Sequence, residues 1–309
     1  MKHTLKVTII LLSMFFIAQL IGIFVASQYL PQTVEVFNTQ TNTFETQDVY
    51  NLPYGVTPPE ETTPLGSIFS ILIALVIAVF LMFILMKVKA EWFLRIWFFI
   101  VVTLGLAIAI NAFLLKIPNT TIIALVIAIP LAFIKVFQRN LIVHNLTELL
   151  IYPGIASVFI PILNVWSVVI LLVAISLYDI YAVWHAGFMQ KMAKYQIEKL
   201  RIFSGFFVPY RGKKKLSRAK KVKTAKNKTK SKKVEMNVAI LGGGDVVFPI
   251  ILAGIVLRAL GLVPAILVSI GATIALAYLF RKSEKGKFYP AMPFISIGAL
   301  IGLIIGFFI

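Results

Sequence analysis

Two apolar stretches decide the fold of this chain: ILLVAISLYDIYAVW at 170–184 and VAILGGGDVVFPIIL at 238–252, each of which carries one aspartate. Asp179 and Asp245 are the acidic side chains inside long apolar segments, whereas the other carboxylates are predicted to lie in loops or near segment ends. A charged side chain at the bilayer centre costs roughly 3 kcal/mol or more. Two such carboxylates therefore indicate a functional acid/base pair inside a membrane.

Composition fixes the class of protein. The 309 residues are 60% hydrophobic and 14% charged, with a mean hydropathy of +0.94, which describes a polytopic membrane protein and excludes a soluble domain. There is no cysteine, which excludes thiol nucleophiles, disulfides, iron–sulfur clusters and thiolate zinc sites. His3, His144 and His185 are predicted outside the middle of any span, and no HExxH pattern is present. No metal or other cofactor is predicted, so the chemistry falls to carboxylates.

The hydropathy pattern predicts an all-α fold with nine transmembrane helices, because about 20 apolar residues are needed to cross roughly 30 Å of hydrocarbon. Six helices form one block and three form a second block. The predicted spans are 7–26, 67–86, 95–115, 119–137, 146–163, 165–186, 237–257, 260–280 and 290–309.

Three regions follow from this pattern: the six-helix block 1–186, a hydrophilic cytoplasmic linker 187–236 and the three-helix block 237–309. Residues 211–233 carry thirteen basic and no acidic side chains, so this part of the linker is predicted to be disordered. It is interpreted as a solvated topogenic tether or as a site for anionic lipid headgroups. Nucleic-acid binding is not predicted, because interleaved aromatics are missing. Residues 190–210 are predicted to form an interfacial helix.

The distribution of basic residues predicts the orientation of the chain in the membrane. If the amino terminus is cytoplasmic and all nine segments cross, only Lys116 and Arg258 among the 30 Lys and Arg fall on the outer side. The acidic loop at 30–66 then faces outward, as does the carboxyl terminus. The first apolar run also resembles a cleaved signal peptide, although it is longer than most signal-peptide cores.

Helix geometry brings the two aspartates together. With 1.5 Å of rise per residue, Asp179 lies about 9 Å and Asp245 about 12 Å from the cytoplasmic ends of their predicted spans. Since the two spans run in opposite directions, side-by-side packing places both carboxyls at one level. Like-charge repulsion at low dielectric favours a pair that shares one proton and titrates as a unit. Such a pair can activate a water and protonate a carbonyl oxygen.

The motifs around these aspartates resemble those of the presenilin and signal-peptide-peptidase family of intramembrane aspartyl proteases. Tyr178-Asp179 is similar to the family's YD motif, and the run Gly242, Gly243, Gly244 and Asp245 is similar to its GxGD motif. Pro290-Ala291-Met292 stands where the family carries Pro-Ala-Leu, with a methionine in the leucine position.

The resemblance covers essentially the whole chain and implies that Asp179 and Asp245 are the catalytic pair of an aspartic endopeptidase. It also implies that the segment at 290–292 shapes the site and receives substrate. The expected partners are single-pass membrane proteins or peptides. The cytoplasmic amino terminus favours the presenilin branch, and the single compact chain is similar to microbial, archaeal-type presenilin homologues. The sequence does not predict an oligomeric state.

Residue-level reasoning assigns supporting roles near each aspartate. The three glycines at 242–244 are expected to loosen the helix and leave room for water, or simply to allow close helix packing. The Tyr178 hydroxyl is expected to orient a carboxyl or a peptide, or to serve as a packed aromatic. Pro290 and Pro293 are expected to leave backbone groups for a substrate strand, or merely to begin a helix.

Two other classes of protein use similar residues. A transporter or ion channel can employ buried aspartates to bind cations or relay protons, although no internal repeat is evident. A prepilin-peptidase type of GxGD protease shares one motif but lacks the YD element and the nine-span layout.

Overall fold

The computed structural model describes residues 5–38, 43–56, 64–88, 90–115, 117–138, 140–186, 204–211, 236–284 and 289–309. The helices in these ranges are α1 (Leu5–Gln28), α2 (Pro64–Val88), α3 (Glu91–Leu114), α4 (Thr120–Phe133), α5 (Leu141–Phe159), α6 (Val165–Tyr181), α7 (Gly243–Leu260), α8 (Leu262–Lys282) and α9 (Met292–Phe307). The π-helical turns Ile134–Gln138 and Ala182–Ala186 extend α4 and α6, and a 3-10 turn covers Pro53–Gly55. The strands are β1 (Gln32–Asn38), β2 (Thr43–Val49), β3 (Gly205–Arg211) and β4 (Met236–Gly242).

These helices confirm the predicted all-α membrane fold. Within the described residues, α1 to α8 are each long and apolar enough to cross a bilayer, when α4 and α6 are taken together with their π-helical turns. The ninth apolar helix, α9, has 16 residues, or about 24 Å at 1.5 Å per residue. It begins later than the predicted 290–309 span because Pro293 occupies its first turn, where a missing N–H costs no helical hydrogen bond.

Asparagine caps set two of the helix starts. The Asn164 side chain accepts a hydrogen bond of 2.8 Å from the Ser167 N–H at the start of α6. Asn140 does the same for α5, accepting from the N–H groups of Ile142 and Val143 at 2.9 and 3.2 Å. This cap moves the start of α5 from the predicted 146 to Leu141, because an Asn side chain satisfies the orphan donors of a first turn.

The core of the bundle lies between α1, α5, α7 and α8. Buried side chains of α1, including Leu11 and Phe15, share one cluster with Ile250 and Ile255 of α7. A second cluster joins α3 and α4 to α5. In contrast, α2 packs against α3 and α6 and leaves most of its apolar surface exposed. Exposed apolar side chains on the rim suit a protein surrounded by lipid.

Glycines bring two helix pairs into backbone contact. A side chain at Gly154 of α5 would collide with the Gly105 carbonyl of α3, and one at Gly271 of α8 would collide with the Gly298 carbonyl of α9. Close packing of this kind drives helix association in membranes, where the hydrophobic effect between helices is weak.

A β-hairpin occupies part of the predicted acidic loop at 30–66. Strands β1 and β2 pair antiparallel, with Gln32 opposite Val49. The segments TVEVF and TFETQDV are rich in β-branched and aromatic residues, a composition that favours a strand and that the hydropathy profile alone does not show.

The second sheet corrects two predictions. Strands β3 and β4 pair antiparallel, with Gly205 opposite Gly242, so the predicted 237–257 helix was wrong for its first residues. Exposure alternates along β4, since Val238 and Ile240 are exposed while Ala239 and Leu241 are buried, which is strand periodicity. The predicted interfacial helix at 190–210 was wrong for its last residues, which belong to β3, and the rest lies outside the described residues. So does the basic segment from 212 to 233.

Candidate active site

Asp179 lies near the last turn of α6 and is buried, with 7% of its surface exposed. Its carboxylate Oδ2 accepts a hydrogen bond of 3.1 Å from the Met292 backbone N–H. The Ala291 N–H donates to the same carboxyl. Both N–H groups lie at the start of α9. A helix leaves the N–H groups of its first turn without partners in the helix, and Asp179 accepts hydrogen bonds from two of them.

Asp245 occupies the third position of α7 and is partly buried. Its carboxylate accepts from the backbone N–H of Gly242, the residue that caps the helix. This contact is one half of a capping box, in which the third residue of a helix reaches back to the cap. A negative charge is also favoured there by the positive end of the helix dipole.

The two aspartates lie at the same end of two helices that pack against each other, α6 and α7. Because Asp179 stands near the end of α6 and Asp245 in the first turn of α7, the two helices bring opposite termini together. The helix predicted ahead of Asp245 was wrong, since a strand ends at Gly242 and Asp245 lies in the first turn of α7.

The three glycines have different surroundings. A Cβ at Gly243 would lie 2.8 Å from the Ser204 hydroxyl and 2.9 Å from the Tyr152 hydroxyl, whereas a Cβ at Gly244 would meet nothing nearer than 3.9 Å. Gly242 ends β4 and caps α7. The expected loosening of a helix interior is therefore wrong, because the run stands at a strand-to-helix junction. At Gly243 the side chains of Ser204 and Tyr152 approach the backbone closely.

The remaining predicted residues lie around Asp179. Tyr178 is partly buried beside that carboxyl. Pro290 is buried and precedes the two backbone donors of Ala291 and Met292. These N–H groups were expected to be left for a substrate strand, but the structure directs them at Asp179. Met292 is itself buried, with 3% exposure, and packs in the main core cluster.

Sequence reasoning missed three polar contacts near this end of the bundle. The Ser176 hydroxyl donates to Ser296 at 3.1 Å and joins α6 to α9 one turn from Asp179. Gln19 of α1 is fully buried and donates to the Val246 carbonyl at 3.1 Å. Glu148, expected near a segment end, is fully buried in α5 and pairs with Lys135 at 2.5 Å. The Asn140 cap was the signal that would have placed Glu148 inside a helix.

No three His, Asp or Glu side chains in the described ranges lie close enough together to hold a metal ion. The chemistry that this arrangement supports is proton transfer between two acids and a water molecule.

Comparison with known proteins adds an independent observation. The profile of the family described as signal-peptide peptidase, presenilin aspartyl protease matches residues 51–309. No protein of curated function matches the sequence.

Solved structures of a presenilin-family intramembrane aspartate protease share the fold. The structure in space group C222 superposes with a TM-score of 0.60 at 17% identity, covering 97% of this chain and 98% of the other. The structure in space group P2 gives a TM-score of 0.59 at 16% identity, covering 96% and 95%. The family profile spans most of the chain and the fold agrees over nearly all of it, so this integral membrane protein belongs to the signal-peptide peptidase and presenilin family of aspartyl proteases.

Proposed function

We propose that Asp179 and Asp245 are the catalytic dyad of this protease and that they hydrolyse peptide bonds in transmembrane segments of membrane proteins. The observation that carries the proposal is the packing of α6 against α7, which places Asp179, in the last turn of α6, at the same end of the bundle as Asp245, in the first turn of α7. Two neighbouring acids at low dielectric favour a state in which one proton is held between them.

The reaction follows from the shared proton. The ionised carboxylate removes a proton from water as the water oxygen bonds to the substrate carbonyl carbon, and the protonated carboxyl gives its proton to the carbonyl oxygen. The tetrahedral intermediate then breaks its C–N bond. The protonated carboxyl gives its proton to the amide nitrogen, which leaves as the amine, while the ionised carboxylate takes the proton from one hydroxyl of the intermediate. The new carboxyl group keeps the water oxygen, and the dyad ends with one proton as it began. No covalent bond to the enzyme forms at any stage.

The substrate must be extended where it is cut, because a helix shields its own carbonyl groups with hydrogen bonds and side chains. Strand β4 ends three residues before Asp245, and among the described strands it pairs with β3 alone. We infer that an unwound substrate segment adds to the free edge of β4, which would supply main-chain hydrogen bonds and bring a peptide bond to the dyad. The 290–292 segment closes the other side, through its contact with Asp179.

The proposed orientation has the amino terminus in the cytoplasm and the carboxyl terminus outside. It rests on the distribution of Lys and Arg, which leaves Lys116 and Arg258 alone on the outer side. The dyad then lies near the cytoplasmic face, as does the basic linker. Anionic headgroups of the inner leaflet are the proposed partners of that linker.

The test is cleavage of a single-pass model substrate by the purified protein in lipid nanodiscs. Parent, Asp179→Asn and Asp245→Asn proteins are compared, because Asn keeps an acceptor for the backbone donors while losing the acid. Cleavage by the parent and by neither variant supports the dyad, provided that all three proteins unfold alike. Continued cleavage by either variant rejects it, and proton flux without cleavage in reconstituted vesicles favours a transporter.

A further inference from the structure

A buried ion pair lies beside the active site and contacts neither aspartate directly. Lys135, in the π-helical turn after α4, and Glu148, in α5, are both almost fully buried and lie 2.5 Å apart. Removing two charges from water is expensive, and such a pair is often no more stabilising than apolar side chains of the same volume. Its presence in a membrane helix therefore calls for a reason other than stability.

The polar side chains of α5 bind strand β3. Glu148 Oε1 accepts a hydrogen bond of 3.2 Å from the Gly205 N–H, and His144 Nε2 donates to the Gly205 carbonyl at 2.8 Å. The Lys135 ammonium, 3.3 Å from His144 Nδ1, donates to that nitrogen and so fixes this tautomer. Both backbone groups of Gly205 are thereby held by the cluster of Lys135, His144 and Glu148.

Asn145 extends the same contact by two residues. Its side-chain amide accepts from the Phe207 N–H at 2.9 Å and donates to the Phe207 carbonyl at 2.8 Å. Alternate residues of a strand present their N–H and C=O groups to the same edge, so Gly205 and Phe207 offer one continuous edge. Side chains of α5 bind that edge in place of a third strand.

Strand β3 in turn fixes the start of α7. Gly205 is opposite Gly242 in the sheet, and Gly242 caps the helix in which Asp245 is the third residue. The Gly243 N–H also donates to the Ser204 carbonyl at 3.3 Å. The backbone from Gly242 to Asp245 is therefore held against the residues that Glu148 anchors.

Tyr152 provides a second connection on the same face of α5, one turn after Glu148. Its ring is buried edge-on against Phe206 at 5.7 Å. Its hydroxyl lies against the Glu148 carboxylate and 3.4 Å from the Ser204 hydroxyl. The ring and hydroxyl fill the space where a side chain at Gly243 would stand.

We propose that Glu148, with Lys135 as its counter-ion, is a positioning residue for Asp245: it fixes β3, and through β3 and Tyr152 the strand-to-helix junction that presents the Asp245 carboxyl to Asp179. This inference rests on the proposed dyad. A displacement of reacting groups by about 1 Å costs on the order of 100-fold in rate, so an anchor outside the site controls turnover without touching substrate.

Two double variants separate the hydrogen bond from Glu148 to β3 from the charges of the ion pair. Lys135→Met with Glu148→Gln removes both charges but keeps an acceptor for the Gly205 N–H. Lys135→Met with Glu148→Leu removes the charges and the acceptor together. Neither leaves a buried unpaired charge, which would unfold the protein on its own account. The two proteins therefore differ at one side chain, and mainly in the hydrogen bond to β3.

Turnover and geometry are measured on the full chain in nanodiscs. The Met/Gln protein is expected to keep kcat within about threefold of the parent, and the Met/Leu protein to lose on the order of 10- to 100-fold in kcat with little change in KM. Because the chain has no cysteine, spin labels at Leu177→Cys and Ile240→Cys, both exposed positions, report the distance between α6 and β4. The distribution of distances between the two labels is expected to broaden in the Met/Leu protein alone.

Defined results overturn the proposal. If the Met/Leu protein has the same kcat and the same distance distribution as the parent, Glu148 is not an anchor. If both double variants lose kcat equally and in parallel with thermal stability, the ion pair has only a structural role. If both double variants fail to fold, Asn145→Ala decides: it removes the Phe207 anchor outside the ion pair and is expected to lower kcat about three- to tenfold at unchanged KM. Unchanged kcat in that variant contradicts the proposal. Failure of the dyad itself shows separately, as cleavage by Asp245→Asn, and leaves the spin-label result standing.

Discussion

The two aspartates stand at the same end of the bundle but are held in different ways. Asp245 is bound by its own helix start, through the Gly242 N–H three residues earlier. Asp179 is bound by Met292, which is 113 residues away in sequence. One carboxyl is therefore positioned by local backbone geometry and the other by a contact between α6 and α9. Changes near Asp245 should act on one junction, whereas changes near Asp179 should act on the packing of two helices.

The largest expected effect is the loss of cleavage when either carboxyl is removed. Asp179→Ala and Asp245→Ala should each reduce cleavage of a single-pass substrate by at least about 100-fold, since each removes one member of the acid/base pair. Their stabilities should differ. Asp179→Ala leaves two backbone donors of a buried segment unpaired, at about 1–3 kcal/mol each at most, while Asp245→Ala loses one helix cap, at about 1 kcal/mol.

Free energies of unfolding from SDS titration in mixed micelles check that order. Asn variants at both positions serve as controls, because they retain an acceptor and should unfold close to the parent. Equal destabilisation by the two Ala changes would contradict the difference between a local and a long-range anchor.

The next largest effect concerns the junction before Asp245. Gly243→Ala places a methyl group 2.8 Å from Ser204 and Tyr152 side-chain atoms and should destabilise the protein by about 1–3 kcal/mol, as overpacking does. Gly244→Ala is the matched control, since its methyl group meets ordinary contacts. Thermal unfolding of the two proteins gives the measurement. A similar loss in both would show that the Tyr152 side chain does not define the space at Gly243.

A smaller effect tests the packing on the Asp179 side. Ser176 and Ser296 share a hydrogen bond of 3.1 Å between α6 and α9. A double-mutant cycle with Ser176→Ala and Ser296→Ala should give a coupling of about 0.6 kcal/mol, typical of polar contacts between membrane helices. SDS titration of the four proteins measures it. Additive single changes would mean that this bond does not help to join the two helices.

The smallest effect is expected in the linker. Deletion of residues 213–232, which leaves both strands of the second sheet intact, should change cleavage in nanodiscs of neutral lipid less than about twofold, because the like-charged segment has no apolar partners with which to form a core. Nanodiscs with anionic lipid extend the test to membrane attraction. A collapse of activity in neutral lipid would show that the linker is more than a tether.

Much of the fold could be read from periodicity and hydropathy. The nine apolar helices of the described residues follow from long apolar runs interrupted by polar or helix-breaking residues. The hairpin of β1 and β2 and the strand β4 were missed, because a short apolar run bounded by glycine is compatible with either a helix or a strand. The pairing that decides between them for β4 involves Gly205–Arg211, which precedes it by a long linker.

The site was predicted less completely than the fold. Asp179 and Asp245 stand out because charge inside an apolar run is conspicuous. Glu148 does not, since its counter-ion Lys135 lies in another helix and both were assigned to span ends. The use of the Met292 N–H by Asp179 could not be predicted either, because a backbone group carries no residue-specific signal.

The sequence by itself determined that this is a membrane protein, and it predicted nine apolar spans with two carboxylates inside apolar runs, where lipid makes charge expensive. The free energy of burying a charge in lipid depends on the residue type and on the length of the apolar run, so it can be estimated from the sequence. Only the tertiary structure decided what holds each carboxyl: a helix cap for Asp245, the start of α9 for Asp179, and behind Asp245 an ion pair on α4 and α5. The Gly242 cap of Asp245 is local, but it depends on where β4 ends, and β4 is set by its pairing with β3. Met292 lies 113 residues from Asp179, and Gly205 lies 57 residues from Glu148. These distances are set by packing, which no local pattern encodes.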